Sequence, residues 1–177
     1  PTPVATASRQ ASTTTAANAA APAPATGGGG DGPVARLRLP AAGIDAPVIV
    51  GAVSASNVMI APYSAWAVAW YGFSAEPGGN GNAVFSGHVD YINVGPAVFY
   101  NLGGVGAGDA VEVQMADGRS LAYRVEYNEV YAAGSGPWET IFAPWAGSDV
   151  ITIYTCAGDW DGRDYTHRRV VRAVRAE

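Results

Sequence analysis

Apolar and polar residues alternate along several short segments after residue 33, a pattern that favours strands over helices. Val34 to Leu39 alternates apolar residues with Arg36 and Arg38, at the period of two expected for a half-buried strand. Val150 to Thr155 is β-branched or aromatic at every position, so it is the strongest strand in the chain by composition. These segments predict an all-β domain.

Turn residues separate the remaining strand candidates. Val111 to Met115 and Leu121 to Val130 flank Asp117-Gly118, and an Asp-Gly pair between alternating segments predicts a hairpin. Shorter apolar segments at 47–50, 83–87 and 170–174 add further strands. Residues 61 to 75 are rich in aromatic side chains and fit either a helical turn or a loop. Seven or eight short strands with few helical segments predict a closed β-barrel or a sandwich.

The first 33 residues differ from the rest in composition. They are mostly Pro, Ala, Thr, Ser and Gly, and such a segment buries too little surface to offset the entropy of ordering it. We predict a disordered linker at 1–33 and one folded domain at 34–177. No segment has the roughly 18 apolar residues of a membrane span, and no signal peptide is visible. We expect membrane attachment only through an N-terminal anchor that is missing from this sequence.

The charge of the domain bears on its partners. All ten basic residues are arginines, nine of them in the domain, where they face fourteen acidic residues and leave a net charge of −5. Proteins that bind nucleic acid are usually basic, so we expect no nucleic-acid partner. The arginines that cluster near the C-terminus fit, for the most part, the solvated face of a strand.

Cys156 is the single cysteine, which excludes an internal disulfide. In an oxidising compartment a free thiol is a hazard unless it is buried or used in chemistry. Two other candidates, His88 and the Arg168-Arg169 pair, also lie at strand ends, where functional side chains are often placed. Each alone could be structural: a buried thiol, a hydrogen-bonded imidazole or solvated guanidinium groups. One Cys and two His without zinc-site spacing predict no metal, and we expect no cofactor.

Taken together, and in the order His, Cys, Arg, these residues resemble the sortase family of cysteine transpeptidases. The matching segments are Leu37–Pro40, Gly43–Val48, Gly81–Asp90, Val98–Leu102, Gly108–Val111, Ile151–Cys156 and Arg168–Ala173. The resemblance covers about residues 34 to 175 and implies a closed sortase-type β-barrel of about seven to eight strands with short helices in its loops. Tyr154 departs from the Leu-Ile-Thr-Cys sequence of many sortases. The overall match fits the compact actinobacterial class E/F-like subclass better than the pilus-building sortases.

The resemblance implies a role for each candidate. Cys156 would be the nucleophile, His88 the acid/base, and Arg168 the cation that stabilises the oxyanion. The family arginine precedes the apolar pair of the last strand by two residues, which selects Arg168 over Arg169, and side chains alternate faces along a strand. We further predict that Thr155 and Asp90 bind substrate. Asp90 fits an ordinary loop acid equally well.

The implied function is transpeptidation at the cell surface. An LPxTG-like sorting-signal peptide would be cleaved through a thioester acyl-enzyme and transferred to an amine of the cell wall or a pilin. The protein would act as a monomer on the extracellular face of the bacterial membrane. Two alternatives stay open: a non-catalytic extracellular β-barrel binding module, and another Cys/His peptidoglycan transpeptidase. An L,D-transpeptidase usually carries a Ser-x-Gly-Cys sequence, which Thr155-Cys156-Ala157 does not match.

Overall fold

Strands make up most of the ordered structure in the computed structural model, which describes residues 32–177. They are β1 (Val34–Leu39), β2 (Ile44–Val50), β3 (Val68–Trp70), β4 (Asn82–Ser86), β5 (Asp90–Tyr91), β6 (Gly95–Pro96), β7 (Ala110–Met115), β8 (Ser120–Ala132), β9 (Val150–Trp160) and β10 (Tyr165–Arg175). A single helical turn, α1 (Trp138–Ile141), precedes β9, and 3₁₀ turns occupy Pro40–Ala42 and Tyr100–Gly104.

Eight of these strands close into a barrel in the order β1-β2-β3-β4-β9-β10-β8-β7, and β7 pairs back with β1. This confirms the all-β prediction and, of the two architectures open to the pattern, selects the closed barrel. β2–β3 and β4–β9 pair in parallel, and the other barrel neighbours are antiparallel. β5 and β6 form a separate two-stranded ribbon beside the barrel. Of the predicted linker, residues 1–31 lie outside the described part of the chain.

The alternation of the sequence becomes the two faces of the barrel wall. Inward-facing residues form one continuous core that includes Leu37, Leu39, Val113, Ile151 and Ile153, each fully buried. Burying side chains of this size contributes about 1.5–3 kcal/mol each, which makes the barrel interior the main source of stability. A second, smaller cluster of Ala69, Tyr71 and Val84 lies on the other face, beneath Ile49, Met59 and Phe142.

Two segments differ from the simple strand pattern. Residues 61–75 contain the three-residue strand β3, which pairs with β2 and β4 and is too short to give a periodic pattern. β9 continues five residues past Thr155 to Trp160, because β10 pairs with this extension as far as Tyr165. The predicted hairpin at 116–119 is present, and Gly118 takes a φ of 90° that a residue with a side chain would resist.

No helix within residues 32–177 has the length and apolar character that crossing a membrane requires.

Candidate active site

The three predicted catalytic residues lie on neighbouring strands. β4 pairs in parallel with β9, and the last pair in register is Ser86 with Tyr154. Two residues further along each chain stand His88 and Cys156, which are 68 residues apart in sequence. On the other side of β9, Arg168 of β10 is directly opposite Cys156. The barrel topology therefore brings His88, Cys156 and Arg168 into one row across three adjacent strands.

His88 follows β4 on a loop that is fixed to the segment after β6. Its backbone oxygen accepts from the Phe99 amide at 2.9 Å. Gly87 makes this approach possible, since a Cβ there would lie 2.8 Å from the side chains of Val98 and Phe99. The loop is therefore held on the barrel end next to Cys156, and its position does not depend on the imidazole itself.

The imidazole of His88 has a defined orientation. Its Nε2 lies 2.6 Å from the carbonyl oxygen of Pro62, and a carbonyl can only accept, so Nε2 carries the proton. The ring of Tyr91 packs edge-on against the imidazole, with centroids 4.9 Å apart, and the Tyr91 hydroxyl donates to the Tyr63 carbonyl. In the neutral imidazole, Nδ1 is therefore the nitrogen that is free to accept a proton.

Arg168 is largely buried and well anchored. Its Nη2 forms an ion pair with Asp164 at 2.6 Å, and its Nη1 donates to the carbonyl oxygens of Tyr165 and His167 at 2.7 and 2.9 Å. Nε donates to the Tyr154 hydroxyl at 3.1 Å. Asp164 reaches Arg168 from a turn in which the Asp161 carboxylate accepts from the amides of residues 163 and 164.

Arg169 lies on the opposite face of β10. Its Nη1 donates to the Asn128 side-chain oxygen at 2.7 Å, and its guanidinium packs against Gly103. The Asn128 amide in turn donates to the carbonyl oxygens of Leu102 and Val105. Of the two arginines, Arg168 is thus the one on the face of Cys156, while Arg169 ties the barrel wall to a 3₁₀ turn.

The thiol of Cys156 is half-buried, and its surroundings favour the protonated form. Burial raises the pKa of the thiol, and the carboxylates of Asp164 and Asp90 raise it further. The positive charge of Arg168 acts in the opposite direction without reversing the outcome. At neutral pH most of the molecules therefore carry a thiol, and the thiolate is a minority form.

A cleft of 580 Å³ opens beside Cys156. His88 and Tyr91 line one side, and Trp160, Asp164 and Tyr165 line the other. Trp160 and Tyr165 stack edge to face, with ring centroids 5.4 Å apart. The cleft thus has aromatic walls, and the Cys156 thiol is part of its lining.

Asp90 connects the two sides of this cleft. Its carboxylate accepts a hydrogen bond from the Tyr165 hydroxyl, which joins the loop after β4 to the start of β10. This contact raises the pKa of Tyr165 to about 12, since ionising the phenol beside a carboxylate is unfavourable. The carboxylate of Asp90 is thus paired with the Tyr165 hydroxyl, and its role in substrate binding stays a prediction.

Thr155 faces the barrel interior and is buried. Its hydroxyl donates to the Gly87 carbonyl oxygen at 2.8 Å, directly beside the loop that carries His88. Because Thr155 precedes Cys156 and Gly87 precedes His88, this contact fixes the distance between the two chain segments directly before the candidate catalytic residues. The position supports a role in holding the His88 loop, and contact of Thr155 with substrate stays a prediction.

Sequence reasoning missed three residues that shape the site: Pro62, Asp164 and Tyr165. Pro62 acts through its carbonyl oxygen, which no side-chain pattern reveals. Asp164 ends a turn that Asp161 and Gly162 mark, and Tyr165 begins the arginine strand, so the position of both residues is visible in the sequence. Their partners are not, because these depend on strand register.

Comparison with known families gives the class of this fold and site. The Sortase domain model matches residues 37–176, which is most of the chain, so the protein belongs to the sortase family. This confirms the resemblance of the His88, Cys156 and Arg168 segments to that family. The E/F-like subclass stays a prediction.

Solved structures agree on the fold. Sortase A from Corynebacterium diphtheriae has a TM-score of 0.62 and 24% identity, over 82% of this chain and 61% of that one. Streptococcus agalactiae sortase C1, in complex with MTSET, has a TM-score of 0.60 and 21% identity, over 81% and 69% of the two chains. A Clostridium perfringens sortase D5 transpeptidase has a TM-score of 0.60 and 18% identity, over 82% and 79%.

These identities show a shared barrel and do not by themselves transfer an activity. The chain spans 61% of the length of the Corynebacterium diphtheriae sortase A. A search of curated proteins gives no match.

Proposed function

We propose that this protein is a sortase-type cysteine transpeptidase in which Cys156 is the nucleophile, His88 the acid/base and Arg168 the oxyanion-stabilising cation. The observation that carries the proposal is the row of these three residues across β4, β9 and β10: Arg168 is in register with Cys156, and His88 follows β4 two residues after the Ser86–Tyr154 pair. The cleft beside Cys156 and His88 supplies room for a peptide.

In the first half of the proposed reaction, the Cys156 thiolate attacks the carbonyl carbon of a peptide bond. The oxyanion that develops is stabilised by an N–H of Arg168, an interaction worth about 3–4 kcal/mol in comparable sites. The carbon–nitrogen bond then breaks, and protonated His88 gives its Nδ1 proton to the leaving amine. A thioester on Cys156 and a free amine result.

In the second half, an acceptor amine replaces the leaving amine. It loses a proton to Nδ1 of His88 as its nitrogen attacks the thioester carbon. The carbon–sulfur bond breaks, the Cys156 thiolate is released, and a new peptide bond forms. His88 is protonated again, so the site returns to its starting state.

The raised pKa of Cys156 sets the pH dependence of this reaction. The reactive form needs a thiolate on Cys156 and a proton on His88, and burial makes the thiolate a minority form near neutral pH. The rate should therefore rise with pH as Cys156 ionises.

We propose an LPxTG-like sorting-signal peptide as the donor and an amine of the cell wall or a pilin as the acceptor, as the family membership suggests. The protein would act as a monomer at the extracellular face of the bacterial membrane. The aromatic sides of the cleft, formed by Tyr91, Trp160 and Tyr165, suit an extended peptide chain.

The test is to incubate the protein with Leu-Pro-x-Thr-Gly and Leu-Ala-x-Thr-Gly peptides and a glycine-based amine. Intact-mass spectrometry reads the acyl adduct on Cys156 and the ligated product, and Cys156→Ala is the matched control. We expect an adduct in the wild type that the control lacks, and a ligated product that depends on the amine.

The rival interpretation is a binding module whose buried thiol is inert, which the raised pKa of Cys156 would also fit. Absence of an adduct with every peptide, together with slow alkylation of Cys156, would support that module and refute the transpeptidase. Rapid hydrolysis of the adduct without transfer to the amine would instead make the protein a thiol peptidase.

A further inference from the structure

The guanidinium of Arg168 has nearly exhausted its hydrogen-bond donors. Of its five N–H hydrogens, Nε uses one on Tyr154, and Nη1 uses two on the carbonyls of Tyr165 and His167. Nη2 uses one on Asp164, and its other hydrogen has no acceptor among residues 32–177. Asp164 lines the cleft, so the contact of Nη2 with Asp164 links the guanidinium to the wall of the cleft, although Arg168 itself is not a lining residue. One hydrogen of Nη2 is thus left for an oxyanion.

The Nε edge is held by Tyr154, which lies two residues before Cys156 and on the same face of β9. Phe142 and Trp138 pack edge-on around its ring, with centroid distances of 5.2 and 5.9 Å. Both residues belong to the segment around α1, and Phe142 lies against the apolar cluster on the outer side of β3 and β4. The Tyr154 hydroxyl therefore holds Arg168 from a rigid, packed support.

Tyr154 and Asp164 hold the guanidinium in different ways. Asp164 is a carboxylate, so its ion pair with Arg168 offsets part of the positive charge and also favours the protonated thiol of Cys156. Burial raises the pKa of Tyr154, so its hydroxyl stays neutral near physiological pH. A neutral acceptor fixes the direction of the guanidinium without reducing its charge.

We propose that Tyr154 is a positioning residue for Arg168, whose hydroxyl fixes the Nε edge so that the Nη2 edge points to the reacting carbonyl. The proposal rests on the function proposed above, and it deepens that function by adding a residue that acts through Arg168. Its support is the hydrogen bond from Nε together with the aromatic packing that immobilises its acceptor.

The hydroxyl, and not the ring, carries the proposed role. A phenylalanine at position 154 keeps the packing against Trp138 and Phe142 and loses only the acceptor for Nε. Tyr131 offers a matched control, because its ring packs edge-on against the same Trp138 while its hydroxyl donates to Glu129 and accepts no hydrogen bond from Arg168. Tyr154→Phe and Tyr131→Phe thus remove the same group from one aromatic cluster.

The first measurement is steady-state transpeptidation with the peptides named above. We expect Tyr154→Phe to lower kcat about tenfold, the usual effect of losing one positioning hydrogen bond, with KM within about twofold of the wild type. Tyr131→Phe should match the wild type. In an Arg168→Ala background, Tyr154→Phe should cause no further loss, since the hydroxyl acts only through Arg168.

The second measurement needs no substrate. The Nε–H of Arg168, assigned by its disappearance in Arg168→Lys, is followed by NMR hydrogen exchange in the wild type and both tyrosine variants. We expect exchange to accelerate at least tenfold in Tyr154→Phe and to stay unchanged in Tyr131→Phe.

Equal losses of kcat from Tyr154→Phe in the wild-type and Arg168→Ala backgrounds would overturn the proposal, as would unchanged exchange of the Arg168 Nε–H. If no peptide is turned over, the function proposed above fails, and accelerated exchange would still establish that Tyr154 positions Arg168.

Discussion

The two faces of β9 differ in what they contact. The inner face presents Ile151, Ile153 and Thr155, which are 0%, 0% and 2% exposed, to the barrel core and the Gly87 carbonyl. The outer face presents Tyr154 and Cys156, which are only half-buried and contact polar and aromatic groups from loops. The inner face of β9 is thus structural throughout, whereas its outer face changes from the buried Val150 and Thr152 to the candidate catalytic Cys156.

This difference shows why the candidate nucleophile Cys156 can occupy a strand at little cost to stability. The inner face packs into a core that fixes the backbone of β9 whatever residues stand outside. The outer face can therefore hold groups chosen for chemistry, whose positions follow from the strand geometry. Substitutions on the inner face should lower the free energy of unfolding, and substitutions of the candidate catalytic residues on the outer face should lower activity. The following predictions test this difference.

Ile153→Ala and Cys156→Ala should differ most in their effects on stability and on formation of the acyl adduct. Ile153 is fully buried in the core, so its truncation should lower the free energy of unfolding by about 2–5 kcal/mol. Cys156→Ala should change stability by less than about 1 kcal/mol and abolish the acyl adduct. Urea denaturation and intact-mass spectrometry check the two effects. A large loss of stability in Cys156→Ala would mean that the outer face also supports the barrel.

Arg168 and Arg169 make the same comparison on β10. Arg168→Ala should lower kcat about 10²–10³-fold, because the oxyanion loses its donor. Arg169→Ala should leave kcat within a few-fold and lower the free energy of unfolding by about 1–3 kcal/mol, because it leaves the Asn128 oxygen without its donor.

Steady-state kinetics and urea denaturation of both arginine variants give the answer. The opposite result, with Arg169→Ala inactive and Arg168→Ala active, would reverse the assignment of the two arginines.

Asn82 holds the segment around α1 over the outer face of β4 and β9. Its buried amide donates to the carbonyl oxygens of Ile141 and Ala143, and its oxygen accepts from Thr152. Asn82→Ala leaves these groups without a partner, so we expect a loss of about 1–3 kcal/mol in unfolding free energy.

Hydrogen exchange should also accelerate at the amides around α1 in Asn82→Ala, since Asn82 ties that segment to β4. The matched control is Asn128→Ala, which disturbs the opposite face of the barrel wall. Equal acceleration around α1 in both variants would show that Asn82 has no specific hold on this segment.

The smallest expected effect comes from Asp90. Its carboxylate adds to the burial and the Asp164 charge that raise the pKa of Cys156, so Asp90→Asn should move that pKa downward. The amide oxygen of asparagine still accepts from Tyr165, so the cleft keeps its shape. Below the inflection, a lower pKa means more thiolate, and alkylation by iodoacetamide should accelerate by up to a few-fold.

The rate of alkylation against pH measures this shift. The control is Asp159→Asn, because Asp159 lies on the β9–β10 hairpin that carries Cys156. An inflection that stays in place or moves upward would show that Asp90 does not influence the thiol.

The raised pKa of Cys156 also affects the stability of the protein, since folding then favours the protonated thiol. This contribution to the free energy of unfolding is present below the ordinary thiol pKa and is lost as pH rises through the pKa of Cys156 in the folded protein.

The barrel could be predicted from the sequence because its inner face follows a period of two, clearest in Val34–Leu39 and Val150–Thr155. β3 escaped prediction because three residues, Val68 to Trp70, are too few to show a period. Its place in the sheet depends on parallel pairing with β2 and antiparallel pairing with β4, and neither strand is joined to β3 by a short turn that the sequence would reveal.

The candidate site was predictable only as far as side-chain chemistry identifies it. His88, Cys156 and Arg168 carry recognisable functional groups. His88 follows the end of β4 as predicted, whereas Cys156 and Arg168 lie inside β9 and β10, because these two strands pair beyond the segments that the sequence indicates. The contact of His88 with the Pro62 carbonyl and that of Arg168 with Asp164 depend on loop paths and on a carbonyl that every residue possesses. Tyr154 was noticed as a departure from the family pattern, but its hydrogen bond to Arg168 required the register of β9 against β10.

The parallel pairing of β4 with β9 determines when the site can form during folding. Cys156 and Arg168 belong to one hairpin and can meet early, because only a short segment separates them. His88 joins them only when β4 pairs with β9, which closes a loop over the whole segment between the two strands. Pairing between residues so distant in sequence is a slow step in folding. A refolding chain should therefore regain the proposed transpeptidase activity last, at the moment the barrel closes, because until then Cys156 and Arg168 lack His88 beside them.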